Sequence, residues 1–216
     1  MSDDGDQSFS SIARDILGVV DRLGSGPIDV FGHSMGGGTA LFAEVLRPGT
    51  FRTGYFFEPI VFPDDAVPTP DNPMATAARL RRASFPSRAD VMWRYSSRPP
   101  LNSLRADALA AYVQHGFADD ADGGVTLKCS PVAEATTFGC ADPLTTAMLG
   151  DVQLPVVIAA GHDEPGANPA RLAPLVADAL PHGRLARYEH IGHFGPLQDP
   201  QTIAEAIIAH ADEVTT

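Results

Sequence analysis

One serine in this sequence stands between glycines at the point where an apolar run gives way to a helical pattern. In VFGHSMGGGTALF, residues 30–42, Ser34 has Gly32 two positions before it and Gly36 two positions after. A serine at the apex of a sharp strand-to-helix turn takes a strained backbone conformation, and large side chains at those two flanking positions would collide. The helix opening at Met35 would aim its free N–H groups and positive dipole end at the hydroxyl, so the Met35 N–H could hold a developing oxyanion. The competing reading is a glycine-rich turn that packs a helix on a strand or cradles a phosphate. The dinucleotide and P-loop glycine patterns are both missing from this turn, which weakens the phosphate option.

A serine hydroxyl is a weak nucleophile until a histidine takes its proton, and a carboxylate must then fix the histidine's tautomer. Downstream, Asp163 directly follows the apolar run VVIAAG, and His193 follows LARYEHIG, thirty residues later. That interval holds one helix and one strand. Loops after successive parallel strands open on one edge of a sheet, so residues distant in sequence can converge there. Glu164 adjoins Asp163 and competes for the acid role, while His162, His182 and His190 compete for the base. His182 falls in a Pro-His-Gly turn and His190 inside the strand region, and His33 is expected to pack beneath the turn; His193, in GHFGP after the last strand, is the preferred base, with His162 as an alternative.

The elements that must position these residues are legible from periodicity. Phe9, Ile12, Ile16, Leu17, Val20 and Leu23 recur at helical spacing, with Gly24 and Gly26 beyond them. IDVFG then reads as a short strand, MGGGTALFAEVL as a helix ending near Pro48, and TGYFFEPIVFP as the next strand, broken at Pro63. From 63 to 150 the chain is rich in Pro, Ala and Arg. Helical patches at 74–82, 88–95 and 106–115 make this a mostly helical insertion, with GGVTLKCSP too short to assign firmly. LPVVIAAG, a helix over 169–180, RLARYEHIGH and a last helix over 200–211 close the chain. Strands alternating with helices indicate a parallel α/β sheet, and VVIAA fits a strand covered on both faces.

The remaining composition excludes more than it assigns. At 216 residues the chain can bury one full core, and 44% hydrophobic with 19% charged residues is ordinary globular composition. A net charge of −12 and a pI near 4.8 repel phosphate backbones and anionic lipids, so no nucleic acid or membrane partner is expected. Arg79, Arg81, Arg82 and Arg88 read as a solvated helix face. Cys129 and Cys140 make no disulfide framework and have no metal-ligand spacing. The acidic start MSDDGDQSFS is unlike a signal peptide, and no apolar run approaches 18 residues, so a soluble cytoplasmic protein is expected. Trp93, Tyr95, Phe117 and Phe138 of the insertion are expected in its core.

The order serine, aspartate, histidine, with a helical insertion after the strand that follows the turn, resembles the α/β-hydrolase family over the whole chain. GHSMGG resembles that family's nucleophile elbow, AAGHDEPG the loop carrying the acid, and IGHFGPLQDP the histidine loop with its C-terminal helix. The resemblance implies Ser34 as nucleophile, Asp163 as acid and His193 as base, with the Met35 N–H in the oxyanion hole and no metal or organic cofactor. It implies an α/β-hydrolase-like, mainly parallel sheet of about four strands. The core would be built from residues 1–62 and 151–216, and 63–150 would form a lid shaping the substrate pocket. It also implies earlier strands and a second oxyanion donor that this sequence does not supply, which would leave IDVFG as an open apolar edge prone to self-association. The expected activity is acyl transfer on a small ester-like substrate; carbon–carbon, thioester and peracid chemistry share the same triad. The alternative is a non-catalytic binding protein of the same fold.

Overall fold

The computed structural model describes residues 6–24, 26–66, 69, 71–139, 142–163 and 169–215. In chain order it contains α1 (Phe9–Leu23), β1 (Ile28–His33), α2 (Met35–Leu46), β2 (Phe51–Phe57), α3 (Pro73–Arg79) and β3 (Ser84–Phe85). There follow α4 (Arg88–Ser96), α5 (Ala106–Gly116), β4 (Phe117–Asp119), β5 (Val125–Leu127) and α6 (Pro131–Gly139). The chain ends with β6 (Val156–Gly161), α7 (Pro169–Ala179), β7 (Gly183–Tyr188), α8 (Gly195–Gln198) and α9 (Pro200–Thr215). Two compact units result. One takes residues 8–67 and 142–216, the other residues 68–141 together with the first seven.

The larger unit is the α/β core. Its four strands run parallel in the order β1-β2-β6-β7, with His33 opposite Phe57, Phe57 opposite Ala159, and Gly161 opposite Tyr188. This register brings the C-terminal ends of β1, β2 and β6 to one edge, where the following loops emerge. Every residue of β6 is buried, as its unbroken apolar sequence requires of a strand covered on both faces. Tyr55, Phe57, Val157, Ala159, Ile191 and Ile203 form one of the clusters between sheet and helices. The strand β1 pairs on one side only among the described residues, and its Phe31 is 42% exposed, in keeping with the open apolar edge expected for IDVFG.

A buried histidine ties α9 to this sheet. The Thr53 hydroxyl donates to the Pro155 carbonyl at 2.9 Å, so it must accept from His210 Nε2–H at 2.6 Å, while His210 Nδ1 accepts from Arg184 at 3.0 Å. Both ring nitrogens are thus committed to the neutral form. Burial first, and then the Arg184 guanidinium, hold the His210 pKa below its ordinary value. An unfolded chain takes up this proton near pH 6.5 and the native chain only at lower pH, so the stabilisation is full above that value and is lost as pH falls towards the native pKa. Urea titrations at pH 7.5 and 5.5 check this: the loss of stability on acidification is smaller in His210→Gln than in the unaltered chain.

The smaller unit is less helical than its sequence suggested. Residues 125–127 pair with both β3 and β4 in a three-stranded antiparallel sheet, β3-β5-β4, inside the helices. Tyr95 and Phe117 belong to its core with Phe85, Val91, Leu109 and Val113, and Phe138 packs on Ala75, Ala78 and Ala135. Trp93 does not join them and is 72% exposed on α4. The arginines are not a plain solvated face either. Arg81 makes a two-pronged bond to Glu134 and donates to the Tyr112 hydroxyl at 2.7 Å, while Arg79 pairs with Asp71 and Arg88 with Asp119. Each of these three cations meets a carboxylate of its own unit. Cys140 lies outside the described residues.

Candidate active site

The turn after β1 has the geometry its sequence demanded. Ser34 sits at φ 54° and ψ −124°, a left-handed conformation that costs a non-glycine residue about 1–3 kcal/mol unless its surroundings hold it. Four backbone bonds hold it here. Its N–H donates to Phe57 O at 2.9 Å, and its carbonyl accepts from Gly37 and Gly38 at 3.1 Å and from Ile60 at 3.0 Å. Met35 is the first residue of α2, so its N–H has no acceptor within the helix.

The glycines divide differently from the steric argument. A Cβ on Gly32 would lie 2.5 Å from Gly37 Cα, so that glycine is required as expected. A Cβ on Gly36 would meet nothing within 4 Å, whereas one on Gly38 would lie 2.2 Å from Ile60 O. The close approach is therefore between α2 and the chain following β2, further along the helix than the pattern suggested. Gly38→Ala is expected to cost about 1–3 kcal/mol by overpacking, and Gly36→Ala to leave stability unchanged or raise it by up to about 1 kcal/mol by helix propensity; urea titration of the two variants checks the contrast.

His193 reaches the serine. Its Nε2 lies 3.1 Å from Ser34 Oγ, and its Nδ1 lies 2.6 Å from Oε2 of Glu58. A carboxylate can only accept, so Nδ1 carries the proton and Nε2 is left with a lone pair facing the hydroxyl. Glu58 is the first residue after β2, at φ 45°, and is completely buried. Its N–H extends the sheet ladder to Ala159 O at 2.8 Å, and its second carboxylate oxygen accepts from Gly161 N–H at 2.9 Å. Both oxygens are thereby bonded. A buried carboxylate needs such partners, and here one of them is the imidazole N–H.

Asp163 occupies the loop after β6, as expected, but its carboxylate faces other groups. It is half exposed, 3.4 Å from Arg171 Nε and 3.9 Å from Arg187 Nη1. The structure therefore puts Glu58, and not Asp163, against His193 Nδ1. The physical reason is reach: β2 lies next to β1, so a carboxylate at its end stands beside the strand that leads to Ser34, while Asp163 follows the next strand over and lies near two arginines. The apolar pattern of YFFEPI reads as strand throughout, which hides the role of Glu58 at the strand's end. The signal was available, since a single carboxylate within an apolar run, at the end of the strand after the elbow, must be buried with a partner. Glu164 lies outside the described residues.

The main chains of two other histidines lie at opposite ends of β6. The His162 backbone N–H donates to Ile191 O at 2.8 Å just past its end, and the His182 backbone carbonyl accepts from Val156 N–H at its start. His190 lies past the end of β7, its Nε2 3.0 Å from Asp199 Oδ2, and this contact above all holds the Asp199 carboxyl below the usual range. His33 packs against Phe57, Phe194 and the His193 ring.

Fold and site together define a class. The family model described as alpha/beta hydrolase fold matches residues 2–200, and the chain belongs to that family. Among solved structures, the peroxisomal alpha-beta-hydrolase Lpx1 of Saccharomyces cerevisiae superposes with a TM-score of 0.80 at 20% identity, over 96% of this chain and 62% of that one. An E-2-(acetamidomethylene)succinate hydrolase gives 0.77 at 22% identity, over 98% of this chain and 76% of its own. A thermophilic esterase from Thermogutta terrifontis gives 0.65 at 18% identity, over 97% and 74%. The chain thus spans less than two thirds of the yeast protein's length. No curated protein matches the sequence. No helix among the described residues is long and apolar enough to cross a membrane.

Proposed function

We propose that this chain is a serine hydrolase that transfers the acyl group of a small ester-like substrate to water through Ser34, His193 and Glu58. The observation that carries the reading is the relay of 3.1 Å from Ser34 Oγ to His193 Nε2 and 2.6 Å from His193 Nδ1 to the buried Glu58. Ser34 Oγ attacks the ester carbonyl while its proton passes to His193 Nε2. The negative charge on the carbonyl oxygen faces the Met35 N–H at the start of α2. The imidazolium then gives its proton to the departing alkoxide, leaving an acyl-serine. Water enters on the same side, His193 Nε2 takes one of its protons, and collapse of the second tetrahedral adduct returns the proton to Ser34 and frees the acid. Glu58 holds Nδ1–H in place throughout.

The fold neighbours include an esterase, and a short-chain acyl ester is the simplest substrate that needs only these groups. The test is turnover of p-nitrophenyl esters of short acyl chains. The unaltered chain is expected to hydrolyse them above the solvent rate, and Ser34→Ala to fall by about 10⁶-fold, to background. Equal hydrolysis by both would overturn the reading.

A further inference from the structure

The elbow histidine has a bond that the relay above does not use. His33 Nε2 lies 2.8 Å from the main-chain carbonyl oxygen of His193, and its ring centroid is 5.0 Å from the His193 ring. A carbonyl only accepts, so His33 donates, and the two residues, 160 apart in sequence, are joined directly. The bond links the last residue of β1 to a loop that carries a functional group but belongs to no strand. That loop is otherwise anchored on its flanks, by Ile191 O accepting from His162 N–H and by Gly192 N–H donating to Gln198 Oε1 at 2.8 Å. The His193 peptide itself is held from the elbow side.

We propose that His33 is a positioning residue, whose Nε2–H fixes the His193 carbonyl and so sets the imidazole between Ser34 and Glu58. This rests on the triad reading for its effect on rate but not for its effect on geometry. The aromatic packing of His33 against Phe57 and Phe194 restrains its ring, so the donor is aimed before any substrate binds. The charged groups facing His33 are His193 and Glu58. Burial first, and then the neighbouring His193, hold the His33 pKa below its ordinary value, so the ring remains a neutral donor at neutral pH and adds no cation that would oppose charging of His193.

Two variants separate the donor from the ring. His33→Phe keeps an aromatic of similar size without the N–H, and His33→Gln returns a side-chain amide donor of similar reach. The first readout is the downfield proton signal of the His193 Nδ1–H bond to Glu58 in the nuclear magnetic resonance spectrum. It is expected in the unaltered chain and in His33→Gln, and broadened away or shifted in His33→Phe. The second is the rate of covalent labelling by a fluorophosphonate, expected to fall roughly 10- to 100-fold in His33→Phe and to recover at least about tenfold of that loss, or all of it if smaller, in His33→Gln. Thermal unfolding confirms folding, and His33→Leu replaces the phenylalanine variant if that one does not fold. An unchanged proton signal in the folded donor-less variant overturns the proposal, as does a glutamine variant that behaves like phenylalanine. If the unaltered chain is not labelled but the proton signal responds as stated, the hydrolase reading fails and the positioning role stands.

Discussion

Replacing His193 by alanine is expected to lower ester turnover by about 10⁶-fold, as far as removing the nucleophile itself, because the two groups act as one unit. Among the described residues, His190 is bonded to Asp199, the His182 peptide lies at the opposite end of β6, and the His33 ring already donates to the His193 carbonyl, whereas His193 Nε2 lies 3.1 Å from Ser34 Oγ. The double variant Ser34→Ala/His193→Ala should be no slower than either single variant, within about a factor of three. Stopped-flow and overnight assays with the same p-nitrophenyl ester measure both limits. A His193→Ala enzyme that kept about one hundredth of its rate would place the base elsewhere.

Replacing Glu58 by glutamine is the second large effect, expected at about 10⁴-fold. The substituted amide could still accept from Gly161 N–H through its carbonyl oxygen. Its nitrogen would then face His193 Nδ1, so Nδ1 would have to accept and Nε2 would carry the proton. That tautomer cannot take a proton from Ser34. Stability should move the other way, since an uncharged amide costs less to bury than a carboxylate at a completely buried position. A variant with lost activity and an unchanged or raised unfolding midpoint therefore distinguishes a tautomer effect from a damaged fold. Glu58→Asp keeps the charge but withdraws it by one methylene from a 2.6 Å bond, and an intermediate loss is expected.

The strands and the sharp turn at Ser34 were legible because each rests on a local rule. The run VVIAAG fits a doubly covered strand, and a serine at positive φ needs its glycine neighbour at 32 because a Cβ there would strike Gly37. The carboxylate that meets His193 was not legible in the same way. Asp163 has the expected position along the chain, but its carboxylate lies near Arg171 and Arg187, a matter of tertiary packing. Glu58 enters the site through its positive φ, a backbone choice stabilised by its N–H bond to Ala159; residue type announces a buried carboxylate there but not the partner it meets. The antiparallel sheet of the smaller unit escaped for a related reason. Its strands are two or three residues long, below the length at which alternation carries a signal.

Choosing between the two carboxylates tests the central claim most directly, and the second-order rate of fluorophosphonate attachment at Ser34, mapped by peptide mass spectrometry, reads it without any assumption about the natural substrate. Glu58→Gln is expected to slow attachment by about 10³- to 10⁴-fold, and Asp163→Asn, which alters only a half-exposed group paired with arginines, to stay within about a factor of three of the unaltered chain. The reverse pattern, with attachment lost in Asp163→Asn and kept in Glu58→Gln, would contradict the Ser34–His193–Glu58 relay.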